Sequence, residues 1–266
     1  MSGGGLKTLR VPKVWGRSDL PAPFDGPESE PIGEIWFEPP PALDAILAKY
    51  LFTSEKLSVQ VHPFAAASPT GCGKEECWLV VDAEPGASLA VGFREEIDAE
   101  AMRAAALDGS IEQLLAWREV SAGDFLYIPA GTVHAIGPGL TLVEMQQNSP
   151  ITFRLYDYGR PRELHLDEAI GVATGAPHDP ALRRRIDPAE ETMLVDGPYF
   201  RFAQLSGNPS TTMHRRFSGA VQLLPLAGSV SIGDLRIDAG NSGWATQLDD
   251  VDFSQSLRCL IAAAAD

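Results

Sequence analysis

The strongest constraint on this chain is how often it is interrupted. The apolar runs "EIWFE", "KLSVQVH", "CWLVVDA", "ASLAVGF", "DFLYIPA", "LTLVEMQQ" and "ITFRLYDYG" are all short, and 21 prolines and 25 glycines lie scattered between them. Runs of this length bounded by turn residues read as strands, and strands joined by turns build a sandwich or barrel more readily than a parallel sheet. One stretch breaks the pattern. Asp98 to Trp117, "DAEAMRAAALDGSIEQLLAW", has helix-forming composition interrupted at Asp108-Gly109 and predicts two short helices inserted between strands. A further helical piece is expected over about Leu166 to Ala173, with Asp167 as its cap.

The Pro-, Gly- and charge-rich run "GAPHDPALRRRIDPA", residues 175–189, reads as a connection. It divides the chain into an expected first unit (residues 1–174, carrying the helical insertion near 98–117) and a smaller second β unit (residues 190–266). The second unit has a single histidine, His214, and no cluster of ligand-type residues. With 44% hydrophobic residues there is material for a substantial core, and the net charge of −15 argues against nucleic acid or an anionic membrane as partner. Residues 1–20 contain no apolar run of signal-peptide length and no later stretch approaches a membrane span, so a cytoplasmic protein is expected. Cys72, Cys77 and Cys259 are too few for a disulfide framework and predict reduced thiols. A monomer or weak homo-oligomer is the expected state.

The unusual residues fall in three segments. In "LSVQVHP", residues 57–63, alternation puts Ser58, Gln60 and His62 on one face of a strand and the aliphatic residues on the other. In "GCGKEECWLVV", Lys74, Glu75 and Glu76 precede a strand; adjacent glutamates face opposite sides, so at most one joins a shared site. In "AGDFLYIPAGTVHAIGPG", Gly123 leads to Pro129-x-Gly131-x-x-His134. Two histidines, a carboxylate and an amide oxygen can hold a divalent ion such as zinc in a shell that stays open to a substrate. Nothing in the local sequence separates His165, His178 or His214 from surface histidines.

The Gly123 to His134 spacing resembles the second signature of the cupin superfamily, a jelly roll or double-stranded β-helix. Together, "IGEIWF", "LSVQVHP", "GKEECW", "IPAGTVHAIGPG" and "EMQQNSPITFRLYDYGR" resemble type I mannose-6-phosphate isomerases of the short bacterial kind, over roughly residues 13–162. The resemblance implies a mainly β fold, a cupin jelly roll followed by a smaller, degenerate cupin-like β domain. It implies one zinc ion on Gln60, His62, Glu76 and His134, with Glu76 chosen over Glu75 because it stands two residues before Trp78. It further implies a sugar-phosphate substrate bound by Ser58, Lys74, Arg154 and Arg160, with Arg154, Lys74 and Glu144 as the catalytic set. The reaction implied is interconversion of mannose 6-phosphate and fructose 6-phosphate through a cis-enediol. An acidic protein that binds a phosphate ester must assemble cationic groups locally, which is the role expected of these Arg and Lys residues.

The chain departs from the family after Pro63, where "FAAASPTG" replaces a commonly acidic continuation. That departure keeps open a sugar-phosphate-binding cupin without turnover, and the two-His, one-carboxylate set alone also suits an iron-dependent oxygenase.

Overall fold

A computed structural model describes residues 2–24 and 26–265. The chain begins β1 (Gly3–Gly5), β2 (Thr8–Asp19), β3 (Pro27–Phe37), β4 (Ile46–Thr53), β5 (Val59–Val61), β6 (Glu76–Ala83) and β7 (Ser88–Phe93). Helices α1 (Ala99–Asp108) and α2 (Ile111–Leu114) lead into β8 (Leu115–Glu119), β9 (Asp124–Ile128), β10 (His134–Ile136), β11 (Leu140–Gln147) and β12 (Phe153–Tyr156). Then come α3 (Leu166–Val172), β13 (Arg183–Arg185), β14 (Thr192–Asp196), β15 (Phe200–Leu205) and α4 (Thr211–Arg216). The chain closes with β16 (Val221–Ile232), β17 (Leu235–Asp238), β18 (Gly243–Ala245), β19 (Val251–Asp252) and β20 (Ser256–Ala264).

These strands form three antiparallel sheets. A seven-stranded sheet runs β13-β9-β6-β11-β4-β3-β2 and a five-stranded sheet runs β12-β5-β10-β7-β8; facing each other, they make the jelly roll. The third sheet, β1-β18-β16-β20-β15-β14 with β17 and β19 attached to β16, belongs to the second unit. The architecture is mainly β, as the turn-punctuated sequence predicts.

The seven-stranded sheet is covered on both faces, which explains why β4 and β11 are buried at every position. On one face Tyr50, Phe52, Leu79 and Met145 pack against Phe200, Phe202, Leu224 and Leu260 of the third sheet. On the other, Leu51, Trp78, Val80 and Leu142 meet Leu57, Leu89, Val91 and Ile136 inside the roll. The alternation in "LSVQVHP" has a matching cause: Val59 and Val61 turn outward under Met102, Ala105, Ala106, Ala169 and Val172 of α1 and α3. The polar face of β5 is thereby turned into the roll.

The helical insertion forms as two pieces. Asp98 caps α1 by accepting a hydrogen bond from the Ala101 amide at 2.8 Å, and Gly109 ends it at φ 83°, a left-handed conformation that favours glycine. The insertion ends earlier than expected, because Leu115 to Trp117 extend β8 and pair with β7. In α3 the cap position is His165, and Asp167 in the first turn pairs instead with Arg103 of α1 at 2.6 Å. Residues 175–189 lie against the first unit: Gly92 bridges Pro177, and β13 adds to the edge of β9. Conversely, Gly3–Gly5 pair with β18 in the second unit. No helix among the described residues is long and apolar enough to cross a membrane.

The packing of the third sheet on the first makes Phe202, fully buried between them, a joint element of both units. Phe202→Ala is expected to cost about 3–5 kcal/mol, read as a lower urea midpoint for one cooperative transition monitored by tryptophan fluorescence.

Candidate active site

Three sheet positions converge at one end of the roll. His62 follows the last residue of β5, His134 opens β10, and Glu76 opens β6 on the facing sheet. Register fixes the approach, since His134 lies opposite Gln60 on one side and Val91 on the other. Gly131 shapes the turn before His134. It holds φ 83°, its amide bonds to the His62 carbonyl at 2.8 Å, and a Cβ there would meet the Phe64 ring at 2.6 Å.

The two imidazoles lie with centroids 4.9 Å apart, and one ligand-type atom from each of His62, Glu76 and His134 falls within 4.8 Å of the others. Each Nδ1 donates to a backbone carbonyl, His62 to Ile151 at 3.0 Å and His134 to Thr132 at 2.9 Å. Both Nε2 atoms are thereby left as lone-pair acceptors turned toward Glu76. The carboxylate lies 3.2 Å from His62 Nε2, 3.5 Å from His134 Nε2 and 2.9 Å from Lys74 Nζ. Although Lys74 is this close, neither oxygen of fully buried Glu76 has a partner in hydrogen-bonding geometry.

Two imidazole lone pairs and an unsatisfied buried carboxylate form an electron-rich focus that a divalent cation of the zinc type fits. Among the described residues this is the one such group. Gln60 stands beside it with its amide nitrogen 3.2 Å from His134 Nε2, while its oxygen accepts from Ser58 Oγ at 3.1 Å. A half-turn of the amide would present the oxygen to the focus instead.

The electrostatics follow from burial and neighbours. Burial alone would push the Glu76 carboxyl up, but the adjacent Lys74 ammonium outweighs it and holds it well below the usual carboxylate range. Burial, and next the Lys74 charge, lower His62. Burial is also the main reason His134 is pressed down to about 3. Both rings are therefore neutral, as metal ligands must be.

A cleft of about 580 Å³ opens beside this focus, lined by residues including Ser58, Gln60, Lys74, Glu144, Arg154 and Arg162. Glu144 is buried and held at both oxygens, accepting from Lys49 Nζ and from Trp78 Nε1, each at 3.0 Å. Lys49 is directly opposite Glu144 across β4 and β11 and also donates to Gln146 at 2.6 Å. Burial works against its ammonium, yet Glu144 and Glu34 raise it above the ordinary lysine value. Arg154 lies opposite Gln60 in the register and donates from Nε to the Glu163 carbonyl at 2.9 Å.

The site residues expected from sequence thus divide. His62, Glu76 and His134 meet with Gln60 and Lys74 beside them, and Ser58, Glu144 and Arg154 line the adjoining cleft. Arg160 does not line it. Its guanidinium is held by Glu55 at 2.7 Å, Asp157 at 3.2 Å and the Lys56 carbonyl at 2.9 Å, and Arg162 occupies the cleft wall instead. Lys49, Arg162 and His165 were missed by sequence reasoning. Lys49 alone carried a signal, a lysine inside the otherwise apolar strand "ILAKYLFT".

No family model matches the sequence. A mannose-6-phosphate isomerase of Streptococcus mutans is 36% identical over 221 residues, which cover 77% of this chain and 66% of that protein. The Bacillus subtilis protein named Probable mannose-6-phosphate isomerase GmuF is 32% identical over 220 residues, covering 77% of this chain and 67% of that protein. The chain therefore spans about two thirds of the length of these relatives. Among solved structures, the mannose 6-phosphate isomerase of Bacillus subtilis superposes with TM-score 0.77 at 23% identity, covering 98% of this chain and 99% of that one. A zinc-bound mannose 6-phosphate isomerase superposes with TM-score 0.71 at 15% identity over the whole of both chains. These likenesses show that the chain shares the fold of those two structures.

Because His134 is neutral when folded and titrates near 6.5 when exposed, the unfolded chain binds the extra proton between those values. The metal-free protein should lose stability as pH falls from 6.5 toward 3, by about 1.4 kcal/mol per pH unit for that one proton. Urea unfolding of chelator-treated protein at pH 7 and pH 5.5, beside His134→Gln, checks this by a smaller pH dependence in the variant.

Proposed function

This chain belongs to the mannose-6-phosphate isomerase family, and we propose that it interconverts mannose 6-phosphate and fructose 6-phosphate using one zinc ion held by His62, Glu76, His134 and Gln60. The observation that carries the reading is the unsatisfied, buried Glu76 carboxylate facing two neutral imidazoles beside a cleft walled by arginine and lysine. When bound, zinc supplies Lewis acidity toward a sugar oxygen.

The chain's own residues supply the rest. Arg154 on β12 and Arg162 in the segment after it line the cleft and are suited to phosphate oxygens or to negative charge developing on a sugar oxygen. Arg162 is partly neutralised by a two-bond pairing with Asp157, both bonds at 2.6 Å, which leaves Arg154 as the less compensated charge. Ser58 adds a hydroxyl at the same wall. Glu144 accepts one bond at each oxygen and retains lone pairs, so it serves as the base that moves a proton between C1 and C2. Lys74, 2.9 Å from both His62 Nε2 and Glu76, is placed to donate to a sugar oxygen beside the ion. In this reading Arg160 is a positioning residue that ties the Asp157 segment to Glu55 and Lys56. The second β unit backs the seven-stranded sheet and takes no part in the chemistry, and a cytoplasmic setting suits the phosphorylated substrate.

A coupled assay on mannose 6-phosphate, before and after chelation and zinc restoration, should show turnover lost and regained with no oxygen uptake. Oxygen consumption, or tight substrate binding without turnover, would contradict the proposal. Arg154→Ala is expected to lower kcat about 10²–10³-fold with zinc content unchanged, and a near-normal rate would remove its assigned role. His134→Ala should abolish stoichiometric zinc, measured by metal analysis after gel filtration; full zinc content in that variant would refute the ligand assignment.

A further inference from the structure

A second cavity, of about 760 Å³, shares no lining residue with the catalytic cleft. It opens at the edge of the five-stranded sheet, where β8, the turn at Pro177-His178 and the start of β13 meet. On a chain of net charge −15 its wall is basic, bearing Arg94, Arg118 and Arg183. Among the described residues none of these three forms an ion pair. Of the acids nearby, Glu112, also on the wall, is bound by Lys56, and Asp179 accepts from the Ala181 amide at 2.9 Å without forming an ion pair, although its charge is felt by His178 and Arg183.

Two buried polar atoms here lack partners. One is Arg183 Nε, a donor. The other is His178 Nδ1, on a side chain only 8% exposed, contrary to the surface histidine expected from sequence. His178 Nε2 donates to the Tyr127 carbonyl at 2.8 Å, so in the neutral ring Nδ1 is an acceptor. Burial lowers both groups and the Arg118 charge adds to that for each, opposed in each case by Asp179. Three guanidiniums without an ion-pair partner beside two unsatisfied buried polar atoms make a setting that an anion can complete.

We propose that this cavity binds a small phosphorylated metabolite bearing a free hydroxyl, its phosphoryl oxygens taken by Arg118 and Arg183 and its hydroxyl donated to His178 Nδ1. Two guanidiniums match the two charges of a phosphate monoester and the fork geometry of its oxygens. The volume exceeds what a free oxyanion fills, and Phe93, Trp117 and Pro177 supply an apolar wall for a carbon skeleton.

The test is histidine-ring NMR on the full-length protein labelled with ¹⁵N-histidine, titrated with glycerol 3-phosphate. The His178 Nδ1 resonance should shift saturably, and R118Q, which changes an exposed side chain, should weaken the apparent affinity at least about tenfold. His62 and His134 report the catalytic cleft separately, so events there are not confused with events here. A His178 signal that stays fixed up to about 10 mM ligand, or one that moves with the same affinity in R118Q, would overturn the proposal.

Discussion

Burying the Glu76 carboxylate is the constraint on which the rest of the structure depends. A carboxylate taken out of water without hydrogen-bond partners costs several kcal/mol unless positive charge compensates it, and Glu76 is fully buried with both oxygens unsatisfied. Lys74 supplies part of the compensation and keeps the group ionised. The two imidazoles cannot supply it, since burial keeps them neutral and their lone pairs face the same point. The carboxylate oxygens and the imidazole lone pairs thus converge on one point, where a divalent cation could be held.

Holding it requires strands from both sheets to end together. His62 and His134 come from the five-stranded sheet and Glu76 from the seven-stranded one, and the Nδ1 of each of these two histidines is pinned by a backbone carbonyl. Such rigidity needs packing behind each sheet. Helices α1 and α3 back β5 through Val59 and Val61, while the second unit backs β4, β6 and β11 through Phe200, Phe202 and Leu260. The second unit thus stabilises the site without contributing a ligand. Within the roll, the same alternation that carries Leu51 and Trp78 into the core carries Lys49, Glu144 and Gln146 to the cleft, so these polar side chains ride on a fully packed sheet.

How much of this was legible depended on whether a feature was local. Turn punctuation marked the strands, and period-2 alternation at Ser58, Gln60 and His62 marked the inward face of β5. The capped break at Asp108-Gly109 separated α1 from α2 because the left-handed conformation that ends α1 favours glycine. Features set by tertiary pairing were not legible. Leu115 to Trp117 are good helix formers, yet the exposed edge of β7 recruits them into β8. The "RRR" of 183–185 reads as linker by composition, but its backbone completes an open strand edge at β9. Arg160 and Arg162 are two residues apart, and only the loop geometry around Asp157 decides which one reaches the cleft. His178 looked like a surface histidine because the elements that bury it lie more than fifty positions away.

The central claim is that two imidazoles from distant strand ends and one carboxylate act on a single cation. Zinc-edge X-ray absorption on protein loaded with one equivalent of zinc measures that directly. The account predicts outer-shell scattering from two imidazole rings together with oxygen ligands and no sulfur. A spectrum showing one ring or none, or sulfur from the thiols, would contradict it.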